Sequence, residues 1–263
     1  MRIKNEKKLT YILLLMSIPS IAVSLERLNL VIPVTQLQEH NATTLTVEGT
    51  YSDGETKPLS SGITWQISDP NVIQAEWQKL IAKGEGTATL RAKVAGILSP
   101  ERSITVYKVI NGHRLPPEPD PAINNSTLLG IDSNDNGVRD DVERAIYFHY
   151  RHPIEQAFIM QYATRYQKVL EDPEGAAESK TLQQEHWNLY SCKGYLRTIN
   201  VTPPKNSVQF LENAYFNTRE RMRAYIEFND AMSGGVYHIP FHDKDMQKEN
   251  CDFNITQMLE MEE

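Results

Sequence analysis

The chain changes its hydrophobic period once. From Leu28 to about Val109, apolar residues recur at every second position, as in Leu28, Leu30 and Ile32 or Leu45 and Val47. Alternation of this kind predicts half-buried strands. It predicts them at residues 28–32, 44–48, 64–68, 88–92 and 103–107. Turn signals separate them: Ser52-Asp53-Gly54, Asp69-Pro70-Asn71 and Lys83-Gly84-Glu85-Gly86. Short strands so punctuated predict an antiparallel β-sandwich.

Beyond residue 140 the period becomes helical. Val142, Ala145, Ile146 and Tyr150 form one stripe. Pro153 opens a second helix, carried by Ile154, Ala157, Phe158, Tyr162, Tyr166 and Val169 until Asp172-Pro173. A third is predicted over about 176–199, with Leu182, Leu189, Cys192, Leu196 and Ile199 on one side. A fourth starts near residue 207, with Val208, Leu211, Tyr215, Met222 and Ile226 as its face, and ends near Ser233-Gly234-Gly235. Four such helices predict a small antiparallel bundle. Between the halves, Pro116, Pro117, Pro119 and Pro121 mark an extended, semi-rigid linker. The fold class expected is multidomain, all-β plus all-α. A signal segment (1–24) precedes an immunoglobulin-like β-sandwich (25–110). A proline-rich linker (111–127) then leads to a helical domain (128–263).

The β half carries recognisable stretches. Val47-Glu48-Gly49-Thr50-Tyr51-Ser52-Asp53-Gly54, Ile63-Thr64-Trp65-Gln66-Ile67-Ser68-Asp69-Pro70 and Ala82-Lys83-Gly84-Glu85-Gly86-Thr87-Ala88-Thr89-Leu90 follow one another in order. Residues of about 26–108 thereby resemble the bacterial group 2 immunoglobulin-like domain. In such a sandwich Trp65 would fill the space between sheets. Gly84 and Gly86 would permit a tight turn. The resemblance implies a binding or scaffolding module, of a kind found in adhesins and in surface or periplasmic proteins, often as a spacer.

The junction holds the most specific chemistry. Residues 132–143 meet D-x-[DN]-x-[DN]-G-x5-E in full. Asp132, Asn134 and Asn136 occupy positions 1, 3 and 5, and Gly137 sits where the backbone must turn. Val138 would offer its carbonyl, Asp140 would bind through water, and Glu143 would clasp the ion with both oxygens. Calcium, a hard cation, takes six to eight oxygen ligands of this kind. The stretch resembles an EF-hand loop with its outgoing helix. No incoming helix precedes it, no second loop is visible, and Arg139 stands where paired EF-hands place an aliphatic residue. The expectation is one structural calcium ion with a Kd on the order of 0.1–1 mM, and not a sensor.

Charge and cysteines set the compartment. Arg2, Lys4, Lys7 and Lys8 precede an apolar run from Leu9 to Ile18 and the small residues Ala22-Val23-Ser24. This is the pattern of a cleaved export signal, too short for a comfortable membrane span. The expected location is periplasmic, or secreted to the cell surface, with no transmembrane segment in the mature chain. Net charge is −7, so a basic nucleic-acid face is not implied. Cys192 and Cys251 are the two cysteines of the 263 residues, and an exported chain is expected to join them in a disulfide.

Catalytic signals are sparse. His149 and His152, or His238 and His242, lack a zinc-binding spacing such as H-E-x-x-H. Glu185, His186 and Cys192 form no recognisable nucleophile pattern. Arg219, Arg221 and Arg223 read as a solvated helix face. The sequence favours a non-enzymatic interaction or scaffold protein of the cell envelope whose partner is a protein or an envelope glycan. The alternative is an exported enzyme with its active site in the helical half and the β module as accessory.

Overall fold

The computed structural model describes residues 22–202, 205–235 and 247–261. Most of the expected signal segment, together with His238 and His242, lies outside the described residues. The rest divides as the periodicity predicts, into a β-rich half and a helical half.

The β half begins with β1 (Leu25–Val31), β2 (Gln36–Gln38), β3 (Ala42–Thr44) and β4 (Thr46–Tyr51). Next come β5 (Thr56–Leu59), β6 (Thr64–Ile67), β7 (Ile73–Glu76), β8 (Lys79–Ala82) and β9 (Gly86–Val94). It closes with β10 (Ile97–Leu98), β11 (Arg102–Tyr107), β12 (Val109–Ile110) and β13 (His113–Arg114). One sheet has the order β1-β4-β5 and another β3-β8-β7, both antiparallel. The largest runs β10-β9-β11-β2, with β6 also paired to β9. Within it only the β11–β2 pairing is parallel. Alternation fixes which side is buried. Leu28 and Leu30 of β1, Ala88, Leu90 and Ala92 of β9, and Ile104 and Val106 of β11 share one core with Ile73, Leu80 and Ala82. Trp65 is only partly buried at the edge of that core, while Trp77 stands 91% exposed.

The linker is less extended than its prolines suggest. It opens on the β12–β13 hairpin and contains the short helix α1 (Pro121–Asn124). Asp120 caps α1 by accepting from the N–H groups of Ala122 and Ile123, and Pro121 supplies a preset φ at the first helical position.

The helical half has α2 (Asp140–His149), α3 (Pro153–Glu171), α4 (Pro173–Glu178) and α5 (Lys180–Thr198). Then follow α6 (Ser207–Tyr215), α7 (Arg219–Met232), a 3-10 turn (Lys248–Asn250) and α8 (Ile255–Glu260). Two of the predicted helices are each split in two. Ser179 ends α4 and caps α5 by accepting from the Leu182 N–H at 3.2 Å. Thr218 caps α7 through the Arg221 N–H at 3.2 Å, so the predicted fourth helix breaks after Tyr215. The break turns Val208, Met222 and Ile226 outward, and all three are exposed. Leu211 and Tyr215 of the same expected face are buried, in one core with Val138, Val142, Ile146, Phe158, Ile159, Leu196, Cys192 and Cys251. No described helix is long and apolar enough to cross a membrane.

Cys192 and Cys251 form a disulfide across 59 residues of sequence, tying the C-terminal segment to α5. Closing a loop of that length removes about 4 kcal/mol of unfolded-state entropy in the chain-entropy model. We predict that the double variant Cys192→Ser, Cys251→Ser loses about 2–4 kcal/mol in urea denaturation. A midpoint and slope unchanged from the parent would show that the cross-link contributes nothing.

Candidate metal centre

The 132–143 loop is built by local hydrogen bonds that its residue types make available. Asp132 accepts from two successive backbone groups, Asn136 N–H at 3.2 Å and Gly137 N–H at 2.8 Å. The Asn136 side-chain oxygen accepts from the Val138 N–H at 2.9 Å. Asp140 accepts from the Ser133 N–H at 2.9 Å, and its own N–H donates to the Ile131 carbonyl at 2.7 Å, closing the base of the loop. Asp135 and Gly137 take left-handed backbone angles, φ 57° and 79°. Glycine adopts that conformation without a Cβ penalty, which explains position 6 of the pattern. The loop delivers Asp140, Asp141 and Glu143 into the first turn of α2, where the helix dipole favours negative charge.

Three of the six predicted site residues, Asn134, Asn136 and Glu143, bring their side chains together, while Asp132 and Asp140 bond to the loop backbone. Glu143 is fully buried, and both its oxygens face amides: Asn134 Nδ2 at 3.2 Å and 3.4 Å, and Asn136 Nδ2 at 2.6 Å from Oε2. Asp132 and Glu143 both act on Asp140. Burial is the first cause raising the Asp140 carboxyl above its usual range; the two neighbouring carboxylates add to it, and the Ser133 hydrogen bonds oppose it. Val138 differs, because its side chain is wholly buried in the helical core. Among the described residues, no group of three or more His, Cys, Asp and Glu side chains stands arranged to hold a metal. The Glu143 carboxylate is engaged instead by the two asparagines and by His113, whose Nε2 lies 2.5 Å from Oε1.

The sequence carried no signal for His113. It comes from the β12–β13 hairpin, and its ring stacks on Tyr147 of α2 with centroids 4.3 Å apart. Position 12 of the loop is therefore also a docking point for the segment that leaves the β half.

Three arginines around the loop are buried, against the expectation for one of them. Arg221, read from the sequence as part of a solvated face, is fully buried. It donates to the carbonyls of Leu128, Asn124 and Thr127 and to the side-chain oxygens of Asn125 and Asn217. Burial, then the charge of nearby Arg139, lowers it to about 10, so it still carries its proton at neutral pH. Arg139, the residue that departs from the paired EF-hand pattern, is also fully buried. It binds Asp141 and donates to the carbonyls of Ala214 and Tyr215 at the C-terminus of α6. A cation there meets the negative end of the helix dipole. Arg144 joins the two halves. Its guanidinium makes a bidentate contact with Glu85 of the β half at 2.6 Å and 2.8 Å. It also binds Glu118 and the Pro116 carbonyl of the linker.

No family model matches the chain, and no curated protein matches it either.

Gly130 is where this arrangement is tightest. Its φ is +73°, and a Cβ there would lie 2.2 Å from Arg139 Cδ and 2.9 Å from Arg221 Nη2. We predict that Gly130→Ala costs about 2–3 kcal/mol in denaturant unfolding, through overpacking and left-handed strain. A cost within experimental error would show that the two arginines can move apart freely. Arg144→Met should lower stability by about 2–3 kcal/mol, because Glu85 loses its bidentate partner. Double-mutant coupling with Glu85→Gln measures this, and additive effects would refute a direct contribution of the pair.

Proposed function

We propose that this protein is an exported, calcium-binding, non-enzymatic interaction or scaffold protein of the bacterial cell envelope. Calcium acts in it as a structural staple between the linker and the helical domain. The observation that carries the reading is that one twelve-residue loop, turned by the Asp132 and Asp140 hydrogen bonds to its backbone, brings Asn134 and Asn136 onto the buried Glu143.

The donor set suits a hard cation with oxygen ligands. Asp132, Asp140 and Glu143 supply charge, Asn134 and Asn136 each carry a side-chain carbonyl, and Val138 contributes its backbone carbonyl. When bound, calcium supplies charge neutralisation and rigidity, not redox or nucleophile chemistry. The residues themselves position the joint: Glu143 lies in the first turn of α2 beside Arg144, and Asp132 holds the backbone turn that leads into the helix. Neutralising the three carboxylates would set how the helical half leaves the linker.

Two further supports concern the module and the compartment. The three consecutive stretches at 47–54, 63–70 and 82–90 are the basis for reading residues 26–108 as a group 2 immunoglobulin-like domain. The shared β core is compatible with that reading. A disulfide is typical of oxidising compartments, which agrees with the basic, apolar and small-residue order of the N-terminus.

The test is calcium titration by calorimetry into the mature chain, repeated with Asp132→Ala and Glu143→Ala. Binding with a Kd on the order of 0.1–1 mM is expected in the parent and not in the variants. At ten times that Kd, calcium should add about 1–2 kcal/mol of stability. No heat and no thermal shift at millimolar calcium would overturn the proposal.

A further inference from the structure

A second site lies on the far side of the 132–143 loop. Asn136 and Gly137 form one edge of a cleft of about 470 Å³ whose walls are α3 and α5. Clefts of roughly 300–1,000 Å³ are the size that takes small ligands. Its lining mixes polar and apolar surface and carries both signs of charge.

Arg165 and Asp252 define its chemistry. Arg165 of α3 is half-buried, and its guanidinium contacts the Nδ1 of His186. Burial and the neighbouring Arg165 charge lower that imidazole to about 4, so it is a neutral acceptor and not a counter-ion. Among the described residues no carboxylate forms an ion pair with Arg165. Burial also lowers Arg165 from its ordinary value. The other cation of the cleft, Lys168, is already paired with Glu185 across the groove at 2.5 Å.

Asp252 stands on the same cleft, also without an ion-pair partner among the described residues. It is held in place from two directions. Cys251 bonds to Cys192 of α5, and Gln161 of α3 donates to the Asn250 carbonyl at 2.9 Å while accepting from the Asp252 N–H at 3.4 Å. Arg165 and two carboxylates, Asp252 and Glu171, thus line one cavity with no ion pair between them among the described residues, and Asp252 is the one tied to both walls.

We propose that the cleft between α3, α5 and the 132–143 loop binds a zwitterionic ligand, an amino acid or short peptide, with its carboxylate on Arg165 and its ammonium on Asp252. A guanidinium recognises a carboxylate through paired, charge-assisted hydrogen bonds. The disulfide and the Gln161 hydrogen bonds fix the backbone around Asp252, which reduces what ligand binding must order. The site stands on residues outside the proposed calcium ligands, apart from the edge formed by Asn136, and does not depend on the calcium reading.

The experiment exposes the full mature chain to a dipeptide library with free termini, once with calcium and once with EDTA, and identifies retained molecules by mass spectrometry. The same library with acetylated amino ends, and again with amidated carboxyl ends, is run beside it. Free dipeptides should be retained, and either cap should weaken retention by about tenfold or more. Asp252→Asn should remove the preference for a free amino end and leave that for a free carboxyl end. Arg165→Gln should do the reverse, and Arg165→Lys should restore part of the carboxylate preference. Exposed Asp252 allows its variant to fold even if changes at Arg165 do not. The proposal is overturned if no dipeptide is retained under either condition, if capped and free libraries are retained equally, or if Asp252→Asn keeps full discrimination. Retention that persists in EDTA while calorimetry shows no calcium binding would remove the calcium reading alone.

Discussion

A guanidinium taken out of water must find a partner for its N–H groups, and the junction of this molecule is organised by that requirement. Arg221 is fully buried and spends its donors on the linker: three backbone carbonyls and two asparagine side chains, all but one of them from residues 124–128. Arg139 lies beside it and spends its own on Asp141 and on the last carbonyls of α6. Leaving a buried charge without such partners costs several kcal/mol. The linker therefore cannot take an arbitrary path. It must bring its carbonyls to Arg221, and Gly130 must lack a side chain where the two arginines pass.

The same logic carries across to the β half. Arg144 follows Glu143 directly in α2, so the residue that closes the loop is adjacent to the residue that grips Glu85 and Glu118. His113 then brings the β12–β13 hairpin onto Glu143 itself. Loop, helix start, linker and turn are coupled through a few consecutive positions. Any cation held by the loop would act on a joint whose other contacts are already charged and geometrically fixed. On the opposite side the disulfide performs a comparable task, pinning the C-terminal segment to α5 and placing Asp252 at the cleft.

Much of this architecture was legible in the residues. Alternation located the long strands, and the strand bounds moved by a few positions only. Of the short strands only β6 was located; β2, β3, β5, β7, β8, β10, β12 and β13 escaped, because two to four residues hold too few repeats to show a period reliably. Helix starts at Pro153 and Ser207 were readable. The breaks at Ser179 and Thr218 were not anticipated, although each carries a capping side chain. A capping serine or threonine looks like any polar residue on a helix face until its neighbours fix the turn. At the candidate metal centre the spacing located the loop in which Asn134 and Asn136 meet Glu143. His113 could not be found that way, being 30 residues upstream of Glu143 and in another element.

The order of a β half and a helical half, the left-handed turn at Gly137 and the cysteine pair were determined by the sequence alone. Side-chain period, φ preference and residue type are local properties, set within a few positions of the chain. Which charges are buried was decided only by the tertiary structure. Arg221 lies on a helix with Arg219 and Arg223, and nothing in that run distinguishes it. Its carbonyl partners lie 93 to 97 residues away, and those of Arg139 lie 75 and 76 away. A charge is cheap to bury only where distant backbone happens to supply acceptors, and no local pattern reports that. The cleft beside the loop has the same origin: Arg165 and Asp252 share a cavity because a disulfide folds the end of the chain back onto α5.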